Sequence, residues 1–170
     1  VLTVAIFPGT SLLVHMDKIL MDILERESPF FTSPIHGLRH WKTVERNGLY
    51  LSKFTGADKL VVSYFAYLHD CMRENEQIDP DHGLRGAQFA QMHRQAILLD
   101  DNQFEKLFHA CEHHTDGEPT NCGTISTCWD ADRLDIGRVG FVVDPKYLAS
   151  QEGKRIAREK DFEALGEVPN

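Results

Sequence analysis

The segment LVVSYFAYLHDCM (60–72) is apolar on nearly every side, and Asp58 just before it can cap the start of a helix. A helix without a polar face must be surrounded by other helices. The end of this segment carries His69 and Asp70, so we expect both side chains to be buried together with the helix. Buried charges require partners or a metal ion. The sequence therefore predicts a central helix that delivers an imidazole and a carboxylate to the protein interior.

Apolar residues elsewhere in the chain recur at helical spacing, and no alternating pattern longer than GFVV (140–143) indicates a strand. We therefore predict an all-α fold, a helical bundle built around the central helix. A chain of 170 residues can bury one core, so residues 16–170 are predicted to form a single domain with a C-terminal helical tail. The other predicted helices cover 17–27, 36–54, 84–98 and 104–114, with one or two short helices after Pro145. Gly56 is predicted to end the second of these, and Asp100 or Asp101 to cap the fourth. A further helix holds 129–136 and is predicted to start at Thr124 or Ser126.

Residues 1–15 are largely apolar but too short to span a bilayer, and they lack the basic start of a secretory signal. We interpret them as a leader or a non-native addition outside the fold.

The overall charge limits the partners that the protein can bind. Lys and Arg number 18 against 26 Asp and Glu, which gives a formal net charge of −8, and no basic stripe could follow a phosphate backbone. We therefore expect neither a nucleic acid polymer nor a membrane as partner. The four Cys form no CxxC motif, which favours reduced thiols in a cytoplasmic protein.

Histidine is enriched in one part of the chain, because eight of the nine His lie between positions 36 and 114. Alone, the pair His69 and Asp70 is explained more simply by a capping carboxylate and a hydrogen-bonded core imidazole. Further candidates fall at or near the ends of other predicted helices, however, so that their side chains can converge on one point. Convergence of imidazoles and carboxylates favours a metal site. These further candidates are His36, His40, His82, His113 or His114, and Asp132.

The order H…HD…H…H…D over about residues 33–140 resembles the HD-domain superfamily of metal-dependent phosphohydrolases. The motifs HG…GA, HT-x-G and DADR are most similar to bacterial members with six ligands, a subgroup that includes dinucleoside-tetraphosphate hydrolases. The resemblance implies four basic metal ligands, with Asp70 bridging if two metals bind, and an additional pair at a second position. The basic ligands would be His40, His69, Asp70 and Asp132, and the additional pair His82 and His114.

Imidazole and carboxylate ligands suit one or two divalent transition metal ions, namely Fe, Mn, Zn or Ni. Two such ions activate water and clamp phosphate oxygens. The resemblance therefore implies hydrolysis of a phosphoester or phosphoanhydride in a small nucleotide-like substrate. Arg73 and Glu74 stand where ppGpp hydrolases carry Glu and Asp, and the GYP signature of cyclic-di-GMP phosphodiesterases is missing from the chain, which argues against both substrates.

Roles at this site are predicted for several residues beside the ligands. Asp70, Arg73 and Arg133 are the candidate catalytic residues. Asp70 would bridge the metals and orient the attacking water, and each guanidinium can clamp phosphate through two oxygens. His36 and Arg73 are candidates for substrate binding. The two arginines and His36 each have a structural alternative. The arginines could form a salt bridge with Glu74, Asp130 or Asp135, and His36 could cap and pack near Pro34.

Two other functions fit the same residues. A diiron oxygenase of the HD fold would use a very similar set of six ligands with dioxygen. A regulatory module would bind metal or nucleotide without turnover.

Overall fold

A computed structural model describes residues 18–117 and 120–168. Within these ranges the secondary structure is entirely helical, which confirms the predicted all-α bundle. Short 3₁₀ turns connect several of the helices and follow the last one. The seven α-helices are α1 (Lys18–Glu27), α2 (Leu38–Thr55), α3 (Lys59–Leu68), α4 (His82–Met92), α5 (Asp101–Glu112), α6 (Gly123–Arg133) and α7 (Gln151–Glu159).

Helix α3 occupies the centre of the bundle, as its composition predicts. The carboxylate of Asp58 accepts hydrogen bonds from the backbone N–H groups of Leu60 and Val61 at its start. Every residue from 61 to 68 is buried. Helices α2, α5 and α6 pack around it, and this arrangement places the residues after Leu68 deep in the interior.

The prediction that this helix continues to Met72 is wrong. Helix α3 ends at Leu68, and the chain turns, with the backbone N–H of Arg73 donating to the carbonyl of Asp70 at 3.3 Å. Helix α4 crosses this end so closely that a Cβ at Gly86 would overlap the carbonyl oxygen of Leu68. Burial of the helix end against α4 leaves no room for another helical turn.

Helices α4 and α6 also end before the residues predicted from the sequence. Helix α4 begins at His82 and ends at Met92, and a 3₁₀ turn at Arg94–Ala96 replaces its predicted last turn. Helix α6 ends at Arg133, before a 3₁₀ turn at Ile136–Val139. Asp100, one of the two predicted caps, begins α5, where it forms a reciprocal capping box with Gln103.

The segment after Tyr147 packs against α2 and is joined to α6 through Asp130. The Asp130 carboxylate accepts the backbone N–H groups of Ala149 and Ser150 at 2.8 and 2.7 Å. A second apolar cluster lies beneath this segment. It contains Leu51, Leu134, Val143, Leu148, Ile156, Ala157 and Leu165.

The predicted leader at residues 1–15 lies outside the described residues. Among the described helices, none is long and apolar enough to cross a membrane. All four cysteines are free thiols, and only Cys122 is not fully buried.

Candidate metal centre

The bundle brings the six predicted ligands together from five helices. His40 lies in α2, His69 and Asp70 follow α3, and His82 opens α4. His114 follows α5, and Asp132 lies in the last turn of α6. Asp132 is the most accessible of them, with 19% of its side chain exposed, whereas the other five are buried.

One group of ligand atoms is formed by His40, His69 and Asp132. The Nε2 atoms of the two imidazoles are 3.1 Å apart. The Oδ1 atom of Asp132 lies 3.4 Å from Nε2 of His40 and 3.7 Å from Nε2 of His69. Metal–ligand bonds of about 2.0–2.2 Å place neighbouring ligand atoms about 3.0–3.6 Å apart, so these separations suit one shared ion.

The second group is formed by His82, His114 and one oxygen of Asp70. The Nε2 atoms of His82 and His114 are 2.8 Å apart, and they lie 3.1 and 3.6 Å from Asp70 Oδ1. Asp70 Oδ2 points the other way, 3.6 Å from His40 Nε2 and 3.7 Å from His69 Nε2. Asp70 therefore lies between two pairs of imidazoles, with one oxygen facing each pair.

The opposite nitrogen of each imidazole ring is held by an oxygen atom. The Nδ1 atom of His40 contacts Asp135 Oδ2 at 2.7 Å, and that of His114 contacts the carbonyl of Cys111 at 2.7 Å. His69 Nδ1 contacts the carbonyls of Phe65 and Ala66, and His82 Nδ1 contacts the carbonyl of Asp79. Because a carbonyl and an ionised carboxylate only accept hydrogen bonds, Nδ1 carries a proton, and in the neutral ring Nε2 presents its lone pair to the centre.

Facing lone pairs repel each other unless a proton or a metal ion lies between them. Each Nε2 pair, His40 with His69 and His82 with His114, is in this situation. Proteins commonly orient metal-binding histidines in this way, through an Nδ1–H bond to a carbonyl or carboxylate. The ligand atoms of His40, His69 and Asp132 lie close enough together to hold an ion, and so do those of His69, Asp70 and His114.

The ionisation of the cluster also suits a cation. Burial raises the pKa of Asp70, but its electrostatic contact with His69 and its contacts with the other surrounding imidazoles lower this pKa by more, so the net pKa is well below its ordinary value. The pKa of Asp132 is also well below its ordinary value, because contacts with His40 and His69 outweigh the effect of burial. Burial dominates at His69 and lowers its pKa, which keeps the ring neutral. Ionised carboxylates and a neutral imidazole are the forms that bind metal.

His114, and not its neighbour His113, reaches the cluster. The imidazole of His113 is 41% exposed and contacts Glu112 at 3.3 Å. The chain leaves α5 at this point, and His114 turns inward, buried beside His69.

His36 is buried beside Asp70, with its Nδ1 3.0 Å from Asp70 Oδ2 and its Nε2 3.6 Å from Glu76. Arg73 is also buried, and its guanidinium contacts Asp70 Oδ1 at 3.3 Å and His82 Nε2 at 3.1 Å. It donates further hydrogen bonds to the carbonyls of Asn75 and Gln77. Arg73 therefore does not form the surface salt bridge with Glu74, Asp130 or Asp135 that was the structural alternative.

Arg133 lies at the entrance to the cluster and does not touch the predicted ligands. Its guanidinium carbon lies over the ring of Trp129, 5.8 Å from the ring centre. It lines a cavity of about 520 Å³ that reaches Asp70, His82 and Asp132. The wall of this cavity also includes apolar side chains, among them Ile78 and Phe141.

The sequence interpretation assigns no role to Arg138, and it treats Asp135 only as an ion-pair partner. Asp135 holds His40, as described above. The guanidinium of Arg138 lies 3.8 Å from Asp70 Oδ2 and 3.7 Å from Asp132 Oδ1. Asp132, Asp135 and Arg138 follow one another at intervals of three residues in DADRLDIGR, and this spacing is the signal that could have identified Asp135 and Arg138.

Comparisons with known proteins give no relative for this chain. A scan against protein-family models, a search of curated proteins and a search of solved structures each found no match. The class that the fold and site define is an all-α protein with a buried His/Asp cluster able to hold a metal ion, an arrangement compatible with an HD-like fold.

Proposed function

We propose that the protein is a metal-dependent phosphohydrolase of the HD type, which cleaves a phosphoester or phosphoanhydride in a small nucleotide-like substrate. The observation that carries the proposal is the position of Asp70, whose two oxygens face two separate pairs of imidazoles. A single carboxylate between two imidazole pairs is suited to bridging two ions.

Metal ions held here would lower the pKa of a bound water and neutralise charge on the phosphoryl group. The six ligands would hold one or two of Fe, Mn, Zn or Ni. The role of the protein residues is to keep each imidazole in the Nδ1–H form and each carboxylate ionised. The ring contacts described above agree with these roles, and so do the lowered pKa values of Asp70, Asp132 and His69.

The cavity beside the cluster supports a small phosphorylated substrate. Its volume of about 520 Å³ is in the range of small-molecule sites. Arg73, Arg133 and Arg138 line it and can contact phosphate oxygens. Ile78, which is 90% exposed, and Phe141 offer apolar surface to the organic part of the substrate.

The two ligand groups differ in one respect that bears on metal binding. Arg73 Nη1 lies 3.1 Å from His82 Nε2 and occupies the lone pair that a second ion would need. No arginine lies within hydrogen-bonding distance of the ring nitrogens of His40 or His69 within the described part of the chain. We therefore expect the His40 group to bind its ion more tightly than the His82 group.

The proposal is tested by elemental analysis of protein purified without chelator, followed by a panel of nucleotides and other phosphoesters with Fe, Mn, Zn or Ni added. Asp70→Asn should lose both metal and phosphate release, whereas Glu74→Gln, with an exposed carboxylate in the next loop, should keep both. Turnover that requires dioxygen would favour the oxygenase alternative. Metal binding without turnover of any substrate would favour the regulatory module and contradict the proposal.

A further inference from the structure

A second cavity, of about 410 Å³, lies on the far side of His40 from the metal cluster. Three arginines and one carboxylate line it: Arg39, Arg46, Arg138 and Asp135. Such a lining is unusual in a chain with a net charge of −8. We propose that this cavity is a second anion site, which binds a dianionic phosphate group. The inference goes beyond the proposed hydrolase function and does not depend on it.

Helix α2 supplies most of the polar surface of this cavity. Arg39, Thr43 and Arg46 are spaced i, i+4 and i+7, which places them on one face of the helix. The hydroxyl of Thr43 donates to the carbonyl of Arg39 at 2.9 Å, and its oxygen can still accept a hydrogen bond. Two guanidinium groups two turns apart on one face can contact the same anion from both sides.

The positive charges of Arg39 and Arg46 are poorly balanced by protein groups. Arg46 donates to neutral oxygens, the side-chain oxygen of Asn47 and the carbonyl of Gly166 at 2.7 Å. Arg39 has no side-chain hydrogen bond or ion pair within residues 18–117 and 120–168. Asp135, which is the carboxylate in the lining, already accepts a hydrogen bond from His40 Nδ1.

The charge of the lining indicates the class of ligand. Arg138 is balanced by the carboxylates around it, so the uncompensated charge of the lining comes from Arg39 and Arg46, which give a formal charge of +2. A phosphate monoester carries about −1.5 to −2 at pH 7, which matches this charge. Arginine forks also match the geometry of phosphate oxygens better than lysine does. Burial lowers the pKa of Arg46, so an anion placed there would restore a favourable environment for its charge.

Arg138 separates this cavity from the metal cluster. Its guanidinium lies between Asp135, at 3.9 Å, and Asp70 and Asp132 on the other side. Its Nε donates to the carbonyl of Ile35 at 3.0 Å, and this hydrogen bond holds the Arg138 side chain in place. A phosphate bound against Arg39 and Arg46 therefore lies outside the cavity proposed for the hydrolase substrate.

The experiment is a calorimetric titration of inorganic phosphate into chelator-treated protein, with chloride at equal ionic strength as the control titrant. Removal of metal prevents phosphate from binding through an ion at the cluster. Arg39→Gln should weaken phosphate binding about tenfold or more, because a charge-assisted hydrogen bond is lost. Arg39→Lys should recover part of the affinity through its charge.

Arg133→Gln is the matched control, because Arg133 lines the cavity at the metal cluster and not this one. It should bind phosphate as the unmodified protein does. The proposal would be overturned if the unmodified protein bound no phosphate, if Arg39→Gln bound it equally well, or if Arg133→Gln were the variant that lost binding. Circular dichroism of each variant checks that the helices are retained.

Discussion

Asp135 Oδ2 accepts a hydrogen bond from His40 Nδ1 at 2.7 Å and so joins the turn after α6 to the face of α2 that forms the metal cluster. The contact orients the ring so that Nε2 of His40 points at His69 and Asp132. A carboxylate in this position also makes the ligand nitrogen a stronger donor to a metal ion. Asp135 is thus a positioning residue, with no predicted contact to the ion.

Replacing Asp135 by Ala should weaken metal binding about 10- to 100-fold, because the ring of His40 loses its anchor. The helical content should be retained, since the Asp135 side chain is partly exposed. Competition with a coloured chelator measures the affinity. Asp144→Ala removes an exposed carboxylate further along the chain and should leave the metal affinity unchanged. Equal affinity in both variants would show that Asp135 does not support the site.

The two ligand groups should fill in order. His82→Ala should keep one tightly bound ion at the His40 group, whereas His40→Ala should lose the tighter of the two binding steps. The physical reason is the guanidinium of Arg73, which must leave His82 Nε2 before a second ion can bind. Metal titration followed by elemental analysis separates the steps. Complete loss of metal in His82→Ala would contradict this order.

Metal affinity should fall as the pH is lowered, and the decline should begin above the ordinary His pKa of 6.5. Burial lowers the pKa of His40, but hydrogen bonds with Asp132 and Asp135 raise it more, so the net shift is upward. The pKa of His114 is also raised, because contacts with Asp70 outweigh burial. A raised pKa means that protons compete with the metal for Nε2 already near neutral pH.

This dependence can be measured by chelator competition between about pH 5.5 and 8.5, a range that spans the titration of histidine. Asp135→Ala removes one of the interactions that raise the pKa of His40, so the decline should shift to lower pH in that variant. An affinity that stayed constant over the whole range would contradict protonation of the ligand imidazoles.

Gly86→Ala should destabilise the fold by about 1–3 kcal/mol, the usual cost of forcing an extra group into a packed contact. The added Cβ would overlap the carbonyl of Leu68 and lie 3.1 Å from that of His69, so α4 would have to move away from the end of α3. Denaturant unfolding measures the change. Gly137→Ala is the control, since its Cβ would meet no atom within 4 Å. Similar free energies of unfolding for both variants would argue against the close contact.

The sequence predicted the core of the fold well where local signals agree. Asp58 begins α3, Gly56 ends α2 in a left-handed conformation, and Asp100 caps α5, each through contacts within a few residues. The boundary at Leu68 could not be predicted in this way. It depends on Gly86, which is far along the chain and allows α4 to cross the helix end.

The ligand residues could be proposed from the order of His and Asp along the chain, since each lies near the end of a predicted helix. The sequence alone determined the amphipathic pattern of the helices and the residue types available for coordination. Only the tertiary structure decided that Asp70 faces two imidazole pairs, that His114 and not His113 turns inward, and that Asp135 and Arg138 join the site. Helical periodicity sets the direction of side chains within one helix, whereas distances between helices depend on how their buried faces pack.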